Sequence, residues 1–405
     1  MNVTELFKGV AVVIDDEIHE SDNYLQKILN QIRDKNIPLI EYSSIPTHEI
    51  VDNFQNLSFV LLDWRLIKEE ISADEISGGV TLPAGIETHE AQKNIAFINK
   101  LKEVCYCPIF IFTNEDQDRI IETLTDANLY NKNKPNHIFI QSKVHLKKKD
   151  IVFKEIEKWL KSNPAIYVLK EWEREYTNSK NKMFCQFHEL SPNWPRIMWK
   201  NFEDDGGNKS LELGELISRN LHTRMTPFEF SEEILNKKES KTQKTELRKV
   251  LEGERFLKVN ALHEDDVSTG DIFREEYQDA GQTKTRYYLN IRAQCDLMRN
   301  SSSLDLYCLK GRIVEEKDIG KKKGLPFNNG EFIEKINHAV VPFLDDGKII
   351  QFLFRDLKIE KWSKLKEKRI GRLLPPYINR IQQRYSLYIQ RQGLPRTPNA
   401  AIYPL

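Results

Sequence analysis

The chain has 405 residues, 40% hydrophobic and 10% aromatic. That is enough for packed cores and longer than a single core usually reaches, so two or three domains are expected. Lys+Arg and Asp+Glu balance at 61 each, so no global charge points to nucleic acid. No stretch approaches the roughly 20 apolar residues that a membrane helix needs, and Met1 to Lys8 lacks an apolar core of signal-peptide type. Five cysteines (Cys105, Cys107, Cys185, Cys295 and Cys308) form no regular framework, which fits a reducing compartment and predicts a cytosolic protein. Cys105 and Cys107 read as buried thiols rather than a metal pair.

In chain order, 10–14 is a strand that runs into Asp15-Asp16-Glu17. A helix follows over 21–35, with Leu25, Ile28, Leu29 and Ile32 at helical spacing. A strand at 38–42 and a short helix at 47–54 precede the strand 59–62, which ends at Asp63. Residues 68–85 contain Gly78-Gly79 and Pro83 and no apolar period, so they interrupt the pattern. A helix over 86–104 leads to the strand 108–112, ending at Thr113, and to a helix over 115–127. After a polar loop at 131–136, the strand 137–142 ends at Lys143, and a helix carries Ile151, Ile156, Trp159 and Leu160. Strands buried on both faces read as continuous apolar runs, and ligand chemistry gathers at their carboxyl ends. The alternation predicts a five-stranded doubly wound parallel sheet with right-handed crossovers over 1–162.

An acidic pair, a lone aspartate, a threonine and a lysine at successive strand ends resemble the receiver domain of two-component response regulators. The resemblance implies the flavodoxin-like strand order 2-1-3-4-5. It implies Mg²⁺ held directly by Asp16 and Asp63, by Asp15 through water and by the Arg65 carbonyl. Asp63 would be the nucleophile toward a histidine kinase, a phosphotransfer protein or a small phosphodonor. Lys143 would offset charge on the phosphoryl oxygens, and the Thr113 hydroxyl would bond the phosphoryl group. Three departures stand out: the long gap from Asp63 to Thr113, Val144 where the family has proline after the lysine, and Ile140 at the aromatic-switch position with Phe139 one place earlier. They favour phosphorylation chemistry over the usual output mechanism. A phosphate sink or a metal-binding pseudo-receiver are the alternatives.

Residues 163–253 predict a mainly helical connector. It contains a helix over 165–178, a tryptophan-bearing stretch (Trp194, Trp199) expected in a core, helical spacing over 211–225 and a charged helix or linker at 237–249. His188 and His222 are isolated, and no helix-turn-helix, Walker lysine, kinase set or Ser-His-Asp arrangement occurs. Residues 254–405 predict an α+β domain, with strands at 287–291, 304–309, 340–344 and 349–354. The Gly270-Asp271-Ile272 start, with Cys295-Asp296 beyond it, faintly resembles small SH3-like barrels, including toxin endoribonuclease relatives. A receiver-gated nuclease-like effector is therefore a second reading, although Cys295 reads first as a buried thiol. From Lys361 to Arg396 there are ten Lys/Arg against one acid, Glu367. A helix over 377–392 would place Ile378, Ile381, Tyr385, Tyr388 and Ile389 on one side and Arg380, Arg384 and Arg391 largely away from it. That predicts packing on its own domain or a protein partner ahead of nucleic acid, and no membrane contact.

Overall fold

The computed structural model describes residues 3–21, 23–66, 84–225, 228–236, 244–297, 304–315, 334–335 and 337–392. Most of the interruption expected at 68–85, part of the charged linker and Arg396 lie outside these residues. Contacts divide the chain into two compact units: Met1–Gln186 with Leu221–Lys238, and Phe187–Asn220 with Glu239–Leu405.

The first unit is built on five parallel strands: β1 (Ala11–Ile14), β2 (Leu39–Tyr42), β3 (Val60–Leu62), β4 (Ile109–Thr113) and β5 (Ile138–Ser142). Their order is β2-β1-β3-β4-β5, with parallel register throughout. Every residue of β1, β3 and β4 is buried, which is why these runs carry no polar interruption. Side chains alternate between two cores. Ala11, Val13, Leu61, Phe110 and Phe112 enter one; Val12, Ile14, Val60, Leu62, Ile109 and Ile111 enter the other. The helices divide accordingly. α1 (Val3–Leu6) and α2 (Tyr24–Arg33) cover the first face, and α3 (His48–Val51), α4 (Ala84–Val104) and α5 (Gln117–Asp126) cover the second. After β5 come α6 (Lys143–Leu146) and α7 (Ile151–Leu160), and α7 returns to the first face. This is the doubly wound α/β architecture.

Two boundaries differ from expectation for local reasons. α2 begins at Tyr24 rather than Ser21 because the Asn23 carboxamide accepts the Gln26 N–H at 2.8 Å and caps the helix there. The helix expected over 165–178 runs as α8 (Pro164–Leu190), 27 residues long. Its polar midpoint does not break it: Ser179 is buried and donates its hydroxyl to the Arg224 carbonyl at 3.2 Å.

In the helical stretch, α9 (Trp194–Asp204) and α10 (Lys209–Arg224) are followed by α11 (Glu232–Leu235) and α12 (Lys244–Arg255). The tryptophans expected in a core are not there. Trp199 is 38% exposed, and Trp194 is half-buried with its ring 4.9 Å from that of Phe187.

The C-terminal sheet has eight strands: β6 (Phe256–Lys258), β7 (Asp271–Asp279), β8 (Gln282–Asn290), β9 (Asp305–Ile313), β10 (Glu334–Lys335), β11 (His338–Leu344), β12 (Lys348–Lys361) and β13 (Arg369–Leu373). The order is β10-β11-β12-β9-β8-β7-β13-β6, all antiparallel. Among the described residues no pairing joins β10 to β6, so this is an open sheet and not a closed small barrel. Gly270 enters β7 at φ +93°, where a Cβ would stand 2.3 Å from the Leu373 carbonyl oxygen, so only glycine lets the two backbones meet. One sheet face packs under the helix Tyr377–Gln390 through Ile378 and Ile381, with Tyr385 and Tyr388 against Phe354. Ile389, expected on that apolar side, is 60% exposed.

Two arginines of the basic segment before that helix are turned inward, and its lysines pair nearer the surface. The Arg369 guanidinium donates to the carbonyls of His263 (2.8 Å), Glu264 (2.9 Å) and Asp266, and lies 3.5 Å from the Asp271 carboxylate. Arg372 donates Nε to Asp271 at 2.7 Å and Nη1 to the Asp266 carboxylate at 2.9 Å. Lys366 pairs with Glu264 and Asp265, and Lys368 pairs with Glu275.

Candidate functional site

The carboxyl ends of the parallel strands bring together residues far apart in sequence. Asp15 follows β1, Asp63 follows β3, Thr113 ends β4 and Lys143 follows β5. Asp15, Asp63, Thr113 and Lys143 are all buried. Asp15, Asp16 and Asp63 each present a carboxylate oxygen, and the three lie within 4.8 Å of one another. Asp16 is half-buried at the start of a 3₁₀ turn, Asp16–His19, which Asp15 caps by accepting the Glu17 N–H on Oδ1 at 3.0 Å.

Lys143 is the hub. Its Nζ lies 2.6 Å from Asp63 Oδ2, 2.8 Å from Asp15 Oδ2 and 3.2 Å from Glu17 Oε2. The contacts to Asp63 and Glu17 are hydrogen bonds. Asp15 Oδ2 is buried and pairs with the same ammonium. The lysine occupies the first position of α6, and its peptide to Val144 is trans. Val144 itself is 45% exposed.

The electrostatics follow from burial among like charges. Burial first, then the Asp63 carboxylate, push the Asp15 carboxyl up to about 7, against the pull of Lys143. Burial also raises Asp63, against the Lys143 charge and hydrogen bonds from the Arg65 N–H and the Thr113 hydroxyl. For Lys143 burial disfavours the charge, but the flanking Asp63 and Asp15 carboxylates outweigh it and hold its pKa above the ordinary value. One buried ammonium thus faces two buried carboxylates, with Asp16 and Glu17 beside them. Among the described residues the cluster has more negative than positive charge, and three carboxylate oxygens converge within 4.8 Å. Those are the terms on which a hard divalent cation fits.

Arg65 also approaches, through its backbone N–H, 3.4 Å from Asp63 Oδ1; its guanidinium pairs outward with Glu115 at 3.2 Å. Thr113 Oγ1 accepts the Glu115 N–H at 3.2 Å, tying the end of β4 to the loop that starts α5. Phe139 is half-buried in the first core, edge-on to Phe110 and Phe112, while Ile140 packs in the second. Sequence reasoning did not single out Glu17 as a Lys143 partner, although it is the third acid of the run after β1. It also missed Asn94 on α4, whose Nδ2 donates to the Trp64 carbonyl at 2.7 Å.

Elsewhere, Cys107 is buried as expected and Cys105 half-buried, whereas Cys295 is exposed, which corrects the buried-thiol reading.

No protein-family model matches the sequence, and no curated protein matches it. Nine solved chains match. One is a fusion containing a yeast Spc42 trimeric coiled coil, 12% identical, covering 46% of this chain and 95% of that one with a TM-score of 0.23. A superposition that poor carries no argument about fold or function. What stands is a five-stranded parallel sheet with an acidic cluster and a buried lysine at its carboxyl edge.

Proposed function

We propose that the N-terminal unit is a receiver-type phosphoacceptor, in which Asp63 takes a phosphoryl group from a histidine kinase, a phosphotransfer protein or a small phosphodonor. The observation that carries this reading is Lys143 after β5 meeting Asp63 after β3 and Asp15 after β1 at 2.6 and 2.8 Å. An Asp63 carboxylate oxygen attacks phosphorus, and the bond from phosphorus to the donor's nitrogen or oxygen breaks with its electron pair leaving on the donor. Lys143 holds Asp63 in its ionised form before transfer, then neutralises a phosphoryl oxygen. The Thr113 hydroxyl, which donates to Asp63, transfers that bond to the phosphoryl group. Asp15, Asp16 and Asp63 would hold Mg²⁺, with the Arg65 carbonyl completing the protein set; the ion supplies further positive charge against the phosphoryl oxygens. Phosphorylation would control an interaction or output activity of the C-terminal domain.

Incubation of the full chain with Mg²⁺ and acetyl phosphate is expected to add one phosphoryl group by intact mass, and none in Asp63→Asn. An adduct of equal yield in Asp63→Asn would place the chemistry elsewhere, and no adduct on the wild type would remove it.

The metal reading is separable. Millimolar Mg²⁺ is expected to raise the thermal midpoint. Binding at about ten times Kd contributes roughly 1.4 kcal/mol by linkage. Asp16→Ala should remove most of the effect; equal stabilisation of both proteins would indicate a non-specific ion effect.

A further inference from the structure

We propose that Cys105 and Cys107 form a redox-active dithiol, in which Cys105 attacks a small hydroperoxide and Cys107 then closes an internal disulfide. The pair lies at the amino edge of the parallel sheet, just after α4 and just before β4. Thr113 and the acid cluster lie at the opposite, carboxyl edge. Both thiols are free. They differ in access: Cys105 is half-buried, whereas Cys107 is 2% exposed within the second core.

The roles follow from what surrounds each sulfur. The Cys107 S–H and the Leu57 N–H donate to the Cys105 sulfur, and the Lys170 ammonium stands near it. Lys170 comes from α8, is 2% exposed and pairs with Glu173 at 2.8 Å. Two donors and a cation favour a thiolate. The Cys107 S–H, the largest influence, draws the Cys105 thiol down to about 6 against the effect of burial. Giving that hydrogen bond, and then burial, hold Cys107 protonated well above the ordinary thiol range. The reachable sulfur is thus the attacking thiolate, and the sealed one is its resolving neighbour. Metal binding is the other chemistry open to two sulfurs. Among the described residues no third ligand gathers with them, and a closed zinc site needs four.

The steps balance without a further reactant. The Cys105 thiolate attacks the terminal oxygen of the hydroperoxide, and the O–O bond breaks. Hydroxide or alkoxide leaves with the electron pair and takes a proton from solvent. The Cys107 sulfur then attacks the Cys105 sulfenic acid, forming S–S and breaking S–O. The Cys107 proton departs with the oxygen as water, so the two sulfurs are oxidised and the peroxide is reduced.

The test uses the full chain carrying Cys185→Ser and Cys295→Ser, which removes the two exposed thiols. One equivalent of hydrogen peroxide is expected to remove the mass of two hydrogen atoms, mapped to the peptide holding Cys105 and Cys107 and restored by dithiothreitol. Adding Cys107→Ala should stop the reaction at a Cys105 sulfenic acid that dimedone captures, while adding Asp63→Asn should leave disulfide formation unchanged. The rate at which Cys105 attacks a small aromatic disulfide should reach half its plateau near pH 6, the printed range of its thiol being about 6, and that midpoint should rise in Cys107→Ala. If Cys107→Ala does not fold, the mass loss and the midpoint still decide. Absence of the internal disulfide, the same mass loss in Cys107→Ala, or a Cys105 midpoint at the ordinary thiol value of about 8.5 would each overturn the assignment.

Discussion

Replacing Lys143 by methionine is expected to lower the stability of the N-terminal unit by about 3–5 kcal/mol at pH 8 without divalent cations, the usual cost of stranding a buried charge partner. Methionine keeps most of the stem's volume, so packing changes little. What changes is that Asp15 and Asp63, 0% and 6% exposed, lose the one ammonium that lies between them among the described residues. The loss should depend on pH with a definite sign. Both carboxyls already titrate above their ordinary values in the folded protein, Asp15 near 7. Without the lysine they rise further. Between the unfolded and folded values the native state holds protons that the unfolded chain has released, so stability falls as pH rises through that window. The deficit of the variant should therefore be smaller at pH 6 than at pH 8. Mg²⁺ should reduce it at pH 8 by restoring positive charge. Urea unfolding at both pH values, with hydrogen exchange of the β1 and β3 peptides, measures it. An identical deficit at pH 6 and 8, untouched by Mg²⁺, would mean that packing of the stem and not charge is at stake.

Arg369→Met is the second large effect, with about 3–5 kcal/mol lost in the C-terminal unit. The side chain is 2% exposed and serves the carbonyls of His263, Glu264 and Asp266 while standing against the fully buried Asp271 carboxylate. Removing it takes the guanidinium from the His263 and Glu264 carbonyls, leaves the Asp266 carbonyl to Arg372, and leaves Asp271 with Arg372 and the Ser268 N–H. Arg355→Met is the control: that side chain is 72% exposed beside Asp356, and a pair in water is worth at most about 1 kcal/mol. Hydrogen exchange of peptides covering β7 and β13 in the full chain should accelerate strongly in the first variant and hardly at all in the second. Comparable protection in both would show that the guanidinium network contributes little.

The parallel sheet was legible because a strand covered on both faces tolerates no polar residue until it reaches its end. Each site residue therefore sits where an apolar run stops: Asp15, Asp63, Thr113, Lys143. Spacing along the chain says nothing about which polar atom meets which. Asn94 serves a carbonyl 30 positions away, and Glu17 reaches a lysine 126 positions away. The misplacements have one physical source. Burial is decided by what covers a face, and residue type reports only an average, so Trp199, Ile389 and Cys295 lie more open than their chemistry suggests. The basic segment divides in the same way. Sequence spacing drew attention to Arg380, Arg384 and Arg391, whereas the inward network is made by Arg369 and Arg372, with Lys366 and Lys368 paired nearer the surface.

The open antiparallel sheet ends on one side with β6, three residues long, and on the other with β10, two residues long. An unclosed sheet exposes a row of unpaired peptide groups at each margin, and a long flat margin invites a strand from another molecule. Among the described residues β10 pairs only with His338 and Ala339, so beyond it the margin passes to β11, and α12 packs against both β11 and β6. Breadth at the centre, where β12 runs for 14 residues, is thereby combined with edge strands that share one helix, the kind of cover that keeps a sheet margin from templating a foreign strand.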